Sequence, residues 1–369
     1  MAYTDIDKPS DYFNSAIYTG DGSQTRTISG VGFQPDLVIH KIRVGSGQGH
    51  SVFDSVRGFA GAKCLQTNTT AAEGTANGAN AAEYGFVSGV NSDGYTVNDG
   101  TAVTNGGYVN RNTYTYVSWN WKAGTSFSNN AGANGASLAS TGSVSTTAGF
   151  SIIKWTGNNS GSATVGHGLG TIPNVVIIKK LDGTSNWGVK HSSMTSGHMA
   201  VLNATDASSN RNGSTNGGIG NLTSSTTFGF IGGGAGTPEI NNGSMIAYCF
   251  SERKGYSKFG SYKGNGNADG TFVYTGFKPA FMMVKRAIGG TGSWGITDGT
   301  RDPFNAVDNY LSANNDNTES DFDHSDFLSN GIKFRTNNDG WNQSGNTYIY
   351  MAFAEESFVS SSGVPATAK

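Results

Sequence analysis

Short apolar runs separated by turn-forming residues recur along the whole chain. Near-continuous apolar runs of about six residues predict strands buried on both faces, and runs that alternate aromatic with polar residues predict strands with one buried face. Glycine, asparagine or aspartate separates the runs at intervals of about ten residues, a spacing typical of sandwiches and barrels. No segment keeps the 3.6-residue apolar period of an amphipathic helix, so we expect almost no helix.

One ordered set of features occurs three times, which predicts internal repeats. Each copy has an apolar turn with a proline, and a buried strand then places a lysine six residues after that proline. Each copy closes on an alternating aromatic strand, at 114–119, 245–250 and 348–353. The shared prolines are Pro35, Pro173 and Pro279, and the shared lysines are Lys41, Lys179 and Lys285. Because their spacing is fixed, we expect these residues to serve the geometry of the fold.

A polar position also recurs, four residues after His50, Trp187 and Trp294. The residues at this position are Asp54, His191 and Asp298. Recurrence in each repeat predicts a structural role such as capping a turn, whereas a catalytic site would not be expected in every copy. The two shared tryptophans are likewise expected in the core or between strands, although aromatic rings can also stack on sugars.

The repeats predict an all-β fold of three tandem antiparallel β-sandwich domains of a jelly-roll-like kind. We place an N-terminal arm at 1–13, sandwiches at 14–124, 147–253 and 258–357, a linker rich in Gly, Ser, Ala and Asn at 125–146, and a C-terminal tail at 358–369. The linker's last residues, 142–145, are alternatively an edge strand. Repeats of about 105 residues exceed the usual solenoid unit, so each copy is expected to build its own core. Three sandwiches in a row would form an elongated chain with exposed edge strands.

Composition supports a turn-rich β protein and reduces the classes of partner that it is expected to bind. Glycine is the commonest residue, at 55, and 11% of residues are aromatic, which argues against disorder. The net charge of −2 and the lack of a long basic stretch predict no nucleic-acid partner. Cys64 and Cys249 lie in different repeats, so no disulfide framework is expected. The first 13 residues lack the pattern of a signal peptide, and no apolar run is long enough to predict membrane insertion, so we expect synthesis in the cytoplasm.

Several segments resemble a repeat module that is common in structural proteins of tailed bacteriophages from marine and freshwater sources. The segments are 6–13 at the start, 148–153 and 164–170 inside the chain, and 352–359 and 363–369 at the end. The likeness covers nearly the whole chain. It implies a non-enzymatic virion protein, a tail fibre or receptor-binding appendage that contacts host surface glycans, with other virion proteins as partners and a homotrimer as its assembly. The alternatives are a capsid decoration (cement) protein or head fibre and, secondly, a polysaccharide depolymerase.

Candidate sites are few, and we predict no catalytic residue, no cofactor and no metal. The chain has no nucleophile motif that leads into a helix, and its six histidines do not cluster at metal-ligand spacing. The acidic run 316–326 is a solvated loop or a Ca²⁺ loop, and its spacing does not fit an EF-hand.

Contact with a partner is expected from loops that differ between the repeats, chiefly 206–227 and 299–326. The second of these combines an apolar platform with hydrogen-bonding groups, as sugar recognition requires. The residues expected to contact a glycan or another partner are Tyr310, Asp321, Phe322, Asp323 and Phe327. The alternative is that the aromatic residues fill the core of the third sandwich.

Overall fold

The structure is a computed structural model that describes residues 4–76, 79–101, 107–213, 217–232, 241–359, 363 and 365. The chain is all-β, with 48% in strands and 4% helical, which confirms the predicted fold class. Its helices are short 3-10 turns at Pro9–Asp11, Gly61–Lys63, Ala81–Tyr84 and Ala133–Gly135. Within the described ranges, no helix has the length and apolar character needed to cross a membrane.

The strands fall into three groups that follow the sequence repeats. Repeat 1 contains β1 (Phe13–Thr19), β2 (Arg26–Ile28), β3 (Leu37–Val44), β4 (Ser51–Asp54), β5 (Leu65–Gln66), β6 (Thr75–Ala76), β7 (Ala79–Asn80), β8 (Phe86–Asn91), β9 (Gly94–Asn98) and β10 (Thr115–Trp121). Repeat 2 contains β11 (Thr125–Asn129), β12 (Ser140–Ser145), β13 (Phe150–Asn158), β14 (Thr164–Gly166), β15 (Val175–Lys180), β16 (Gly188–His191), β17 (His198–Val201), β18 (Ser209–Asn210), β19 (Gly218–Ile219), β20 (Thr227–Ile231) and β21 (Asn242–Phe250). Repeat 3 contains β22 (Ser257–Lys263), β23 (Phe272–Tyr274), β24 (Phe277–Ile288), β25 (Trp294–Asp298), β26 (Val307–Ser312), β27 (Ser320–Leu328), β28 (Gly331–Phe334) and β29 (Thr347–Ser357).

Each repeat builds one antiparallel sheet with the same order of four strands. The orders are β1-β10-β3-β4 in repeat 1, β13-β21-β15-β16 in repeat 2 and β22-β29-β24-β25 in repeat 3. The closing aromatic strand therefore lies between the opening strand and the strand that carries the shared lysine. One face of each sheet packs on the smaller strands of its own repeat, where a separate apolar core forms.

The opposite faces of the three sheets meet in a single central core. This core takes buried residues from all three repeats. At its centre Trp121, Phe250 and Phe353, one from each closing strand, contact each other with ring centroids 5.6–6.2 Å apart. The expectation that each repeat builds its own core is confirmed, but the expectation of an elongated row is wrong, because the repeats also share a core. The strands are apolar on both faces because one face covers its own repeat's core and the other covers the neighbouring repeats.

The predicted linker is also wrong, since half of 125–146 lies in strands. The alternative of a strand at 142–145 is confirmed, because these residues belong to β12. Strand β11 pairs with β12, and β12 pairs with β13 at the edge of the sheet of repeat 2. Strand β11 is the edge strand and leaves most of its polar side chains exposed. Strand β12 has a partner on each side and buries Ser140, Ser143 and Ser145. The N-terminal arm packs as well: Ile6 joins the central core, and the N–H of Asp5 donates to the carbonyl of Lys254.

Candidate functional site

The recurring polar position joins each repeat to the next. In each case its side chain bonds to a group of the following repeat, and repeat 3 returns to repeat 1. The bonds are Asp54 Oδ2 with the hydroxyl of Tyr248 (2.7 Å), His191 Nε2 with the carbonyl of Tyr350 (3.0 Å) and Asp298 Oδ2 with Nε1 of Trp119 (3.0 Å). The Oδ1 atoms of Asp54 and Asp298 also accept the backbone N–H groups two and three residues further on, so both carboxylates cap turns.

These contacts join the three repeats into a closed ring. The three shared lysines join the same repeats, but each lysine contacts the preceding repeat instead of the following one. All three are 0% exposed, and each ammonium donates to one loop carbonyl of its own repeat and one of the neighbouring repeat. The acceptors are Gln48 and Asp316 for Lys41, Ser185 and Thr70 for Lys179, and Gly292 and Thr205 for Lys285. Burial lowers the pKa of Lys41 to about 7 and that of Lys285 to about 8. The recurring residues thus hold the repeats together and leave ligand binding to other positions.

Acid is expected to unfold this ring because buried histidines resist protonation. Burial lowers the pKa of five histidines: to about 3 for His40 and His324, to about 4 for His167 and His191, and well below its usual value for His50. The unfolded chain takes up these protons near pH 6.5, so folding stability is lost as the pH falls from 6.5 towards 4. At pH 4.5 each of the four histidines whose pKa is lowered to about 3 or 4 is expected to lower the free energy of unfolding by about 2–3 kcal/mol.

Urea unfolding between pH 7 and pH 4.5 measures this loss. His40→Leu removes one titrating group, and both ring nitrogens of His40 lack a partner among the described residues. The variant should therefore show a slope of stability against pH that is shallower by about one proton. A free energy of unfolding that does not change over this pH range would contradict the prediction.

A cleft of about 330 Å³ opens on repeat 3, between β25, β26, the start of β27 and the turn 338–341. Aromatic rings form one part of its wall, and amide and hydroxyl side chains form the rest. The lining residues are Gly292, Ser293, Gly295, Tyr310, Leu311, Ser312, Asn315, Asn317, Thr318, Ser320, Phe322, Asn338, Asp339, Gly340 and Trp341. This combination makes the cleft the candidate functional site.

The aromatic wall is fixed by ring packing. Tyr310 lies edge-on to Phe322 (5.3 Å between centroids) and to Trp341 (6.0 Å). Beneath it, His324 stacks flat on Trp341 at 4.3 Å. Gly295 makes room for this indole, because a Cβ at that position would lie 2.7 Å from the ring. Trp341 is only 4% exposed, so it forms the floor, while half-buried Tyr310 and Phe322 present their rings to the cleft.

Repeat 3 differs from the other repeats at the residue that makes this wall. Equivalent positions follow from the strand register, since three pairs correspond: Val52 with Leu65, Val189 with Ala200, and Ile296 with Leu311. Tyr310 precedes Leu311, so its counterparts are Cys64 and Met199. Both of those side chains are buried in the cores of their own repeats. Tyr310 also packs against the core of its own repeat, but it is only half-buried and lines the cleft. Repeat 3 thus differs from the other two by an aromatic ring at this position.

Two of the five predicted contact residues, Tyr310 and Phe322, line the cleft. Phe327 does not: it is 0% exposed in the core of repeat 3, so its prediction as a contact residue is wrong and the core alternative holds for it. Asp321 and Asp323 are exposed but do not line the cleft. The predicted loop 299–326 contains strand β26 and most of strand β27. Successive side chains of a strand point to opposite faces, so the carboxylates of Asp321 and Asp323 lie away from Phe322.

The acidic run does not gather its carboxylates at one point. Glu319 pairs with Arg43 of repeat 1 and with Arg301, both at 2.8 Å. Asp326 pairs instead with Arg335. In the part of the chain that the structure describes, no three His, Cys, Asp or Glu side chains converge on a position that could hold a metal ion. The run thus contributes ion pairs, one of which joins repeat 3 to repeat 1.

Sequence reasoning missed Trp341, Asn315 and Asn338. The available signal was a tryptophan without a counterpart in the other repeats, set among turn residues at 337–342. It also missed a repeated buried asparagine, whose amide nitrogen ties the closing strand to the turn after the opening strand. The three are Asn110, Asn241 and Asn342.

Comparison with known protein families assigns the chain to one of them. Residues 8–357 match the family described as a domain of unknown function, DUF7483. Because the match spans nearly the whole chain, this protein belongs to that family. Comparison with curated proteins finds no match.

Proposed function

We propose that this protein is a non-enzymatic structural protein of a bacteriophage particle, a tail fibre or receptor-binding appendage that contacts host surface glycans through the cleft of repeat 3. The aromatic and amide lining of that cleft is the observation that carries the glycan proposal. The phage setting rests on the sequence resemblance described above. The proposed partners are other virion proteins, and the proposed location is the virion.

The chemistry of the cleft suits a sugar. The C–H faces of a pyranose pack on aromatic rings, and its hydroxyl groups exchange hydrogen bonds with amides and hydroxyls. Tyr310 and Phe322 supply the rings, and Asn315, Asn338 and Ser320 supply polar groups beside them. Since the rings stand on paired strands of a closed scaffold, little conformational entropy is lost when a ligand binds.

The charges of the cleft favour binding over hydrolysis. Glycosidases generally need a pair of carboxyl groups that flank the scissile bond, one on each side. Among the lining residues, all of which the structure describes, Asp339 supplies the single carboxylate. It lies 3.5 Å from the guanidinium of Arg286. This supports a binding protein and gives no support to a depolymerase.

The assembly proposed from the resemblance is a homotrimer, and the ring restricts how one would form. The closing strands, which could have packed between subunits, are already buried between repeats of one chain. A trimer would have to use outer surfaces, where Phe304, Val44 and Tyr274 are exposed apolar residues. Light scattering of the purified protein measures its oligomeric state.

A closed, weakly charged ring would also suit a capsid decoration protein or head fibre, since only 14% of its residues are charged. Immunogold labelling of intact particles separates the two locations, because head and tail are resolved in one image. Label on the head would favour decoration, and label on the tail would favour the appendage.

Removing the half-buried ring of Tyr310 from the cleft tests the proposed contact. Tyr310→Ala is expected to weaken binding of the purified protein to host envelopes by about tenfold, because buried aromatic anchors dominate most interfaces. Tyr274→Ala is the matched control, since it removes a 57% exposed tyrosine from β23 of the same repeat. The control should bind normally. Equal binding by the wild type and Tyr310→Ala, with melting temperatures unchanged, would count against the site.

A further inference from the structure

We infer that the cleft of repeat 3 selects uncharged pyranosides and discriminates against acidic sugars, a specificity that rests on the proposed function. The observation is the distribution of charge in and around the cleft. No lysine, arginine or histidine occurs among its lining residues, every one of which the structure describes. Carboxylates are usually recognised by arginine or lysine through charge-assisted hydrogen bonds, and this lining provides neither.

The cations near the cleft are held by protein groups. Arg301 is buried and binds the carboxylates of Asp298 and Glu319. Arg286 binds the carbonyls of Asp339 and Gly289 and the side-chain oxygen of Gln343. The Nε–H group of Arg286 has no hydrogen-bond partner among the described residues, but it is buried. A sugar carboxylate would therefore have to displace an existing partner, or open the surrounding structure, before it could pair with either guanidinium.

Two carboxylates are exposed near the cleft. The Asp339 side chain is 68% exposed at the edge of the cleft, where the guanidinium of Arg286 lies 3.5 Å away and offsets part of its charge. Asp316 is exposed next to the lining residues Asn315 and Asn317. A uronic or sialic acid would enter near carboxylates of the same sign, and like charges repel. A neutral sugar meets no such repulsion.

The polar groups of the cleft are arranged for hydroxyl groups. Asn315 Oδ1 accepts the N–H of Asn317 (3.1 Å), and Asn338 Oδ1 accepts the N–H of Gly340 (2.8 Å), which holds both side chains in place. Neither amide nitrogen has a hydrogen-bond partner among the described residues, so each offers two N–H donors. Neutral donors beside aromatic rings suit sugar hydroxyl and ring oxygens. Because no ion pair forms, binding should be nearly independent of salt.

The size of the cleft limits what it encloses. Its volume of about 330 Å³ lies at the lower end of the range of about 300–1,000 Å³ that small-molecule sites span. The site therefore fits one or two sugar rings, such as the end of a neutral polysaccharide chain.

Binding to a panel of immobilised neutral and uronic-acid polysaccharides tests the specificity, using the full chain at 50 and 500 mM NaCl. We expect the wild type to bind neutral members, with less than a twofold change in affinity between the two salt concentrations. Asn338→Arg places a cation at the cleft, and this variant should gain binding to the acidic members. Tyr310→Ala reports whether binding occurs in the cleft, and Asn338→Ala in the exposed turn replaces it if that variant fails to fold.

The outcomes separate the inference from the proposed function. Binding of the wild type to acidic members that is lost in Tyr310→Ala would overturn the neutral specificity and leave glycan contact standing. Binding to neutral members that is lost in this variant supports both. Binding to neither class of polysaccharide would overturn the proposed function together with the inference. Binding that is unchanged in Tyr310→Ala and in Asn338→Ala would do the same.

Discussion

Replacing Phe353 with alanine is expected to lower the free energy of unfolding by about 3–5 kcal/mol, the usual cost of removing a fully buried phenylalanine. Its ring lies at the centre of the core that the three repeats share. Its aromatic neighbours within about 6 Å come from every repeat: Phe13, Trp121, Phe250, Tyr256, Phe259 and Phe281. The cavity should therefore weaken all three repeats together.

Urea unfolding followed by tryptophan fluorescence measures this loss. The matched control is Phe304→Ala, which removes the same side chain from a position that is 76% exposed. The control should change stability by less than about 0.5 kcal/mol, as surface substitutions usually do. If the repeats were independent, Phe353→Ala would unfold one of them in a separate early transition, and that result would contradict the shared core.

Arg301→Met is expected to cost about 3–5 kcal/mol, because it leaves the buried carboxylate of Asp298 without its cation, while Glu319 keeps its pair with Arg43. The Nε–H group donates to Asp298 at 2.6 Å, and the remaining guanidinium nitrogens donate to Glu319 and to the carbonyl of Ile296. Asp298 in turn holds Trp119 of repeat 1, so the ring contact between repeats 3 and 1 is weakened too. Arg57 pairs with Asp54 in the same way in repeat 1, and Arg57→Met should have an effect of similar size.

The control for this loss is an ion pair at the surface. Lys8 and Asp11 are largely exposed, and Lys8→Met should change stability by less than about 1 kcal/mol. The double variant Asp298→Asn with Arg301→Met should recover part of the loss, since it removes the unpaired charge. Chemical denaturation of all four variants would show whether burial of the charge is the cause, and equal effects for Arg301 and Lys8 would refute it.

The strands could be predicted because their signal is local. The segments 36–41, 174–179 and 280–285, each following a shared proline, overlap β3, β15 and β24. The ring could not be predicted, because periodicity reports that a face is apolar without reporting what covers it. The strands that are apolar on both faces did indicate that something covers the second face. A single sandwich exposes one face of each sheet to water, and its strands alternate apolar and polar residues.

The site was predicted in part for a similar reason. Tyr310 and Phe322 stand out as aromatic residues where the repeats differ. Trp341 joins them only through the fold, which brings the turn 338–341 against β25. Asp321 and Asp323 alternate with Phe322 and His324, and this period of two is the local signal that distinguishes a strand from a loop.

The closed ring has a consequence for the order in which the protein is made. Ribosomes release the N-terminus first, yet Phe353 and the partners of Lys41 and Trp119 lie near the other end. Repeats 1 and 2 must therefore wait, with one apolar sheet face uncovered, until β29 has emerged. Contacts between residues so distant in sequence form slowly, because the intervening chain must first be closed into a loop. The three repeats can thus close into one body only after β29 has been synthesised, and the uncovered sheet faces are what a chaperone would bind in the meantime.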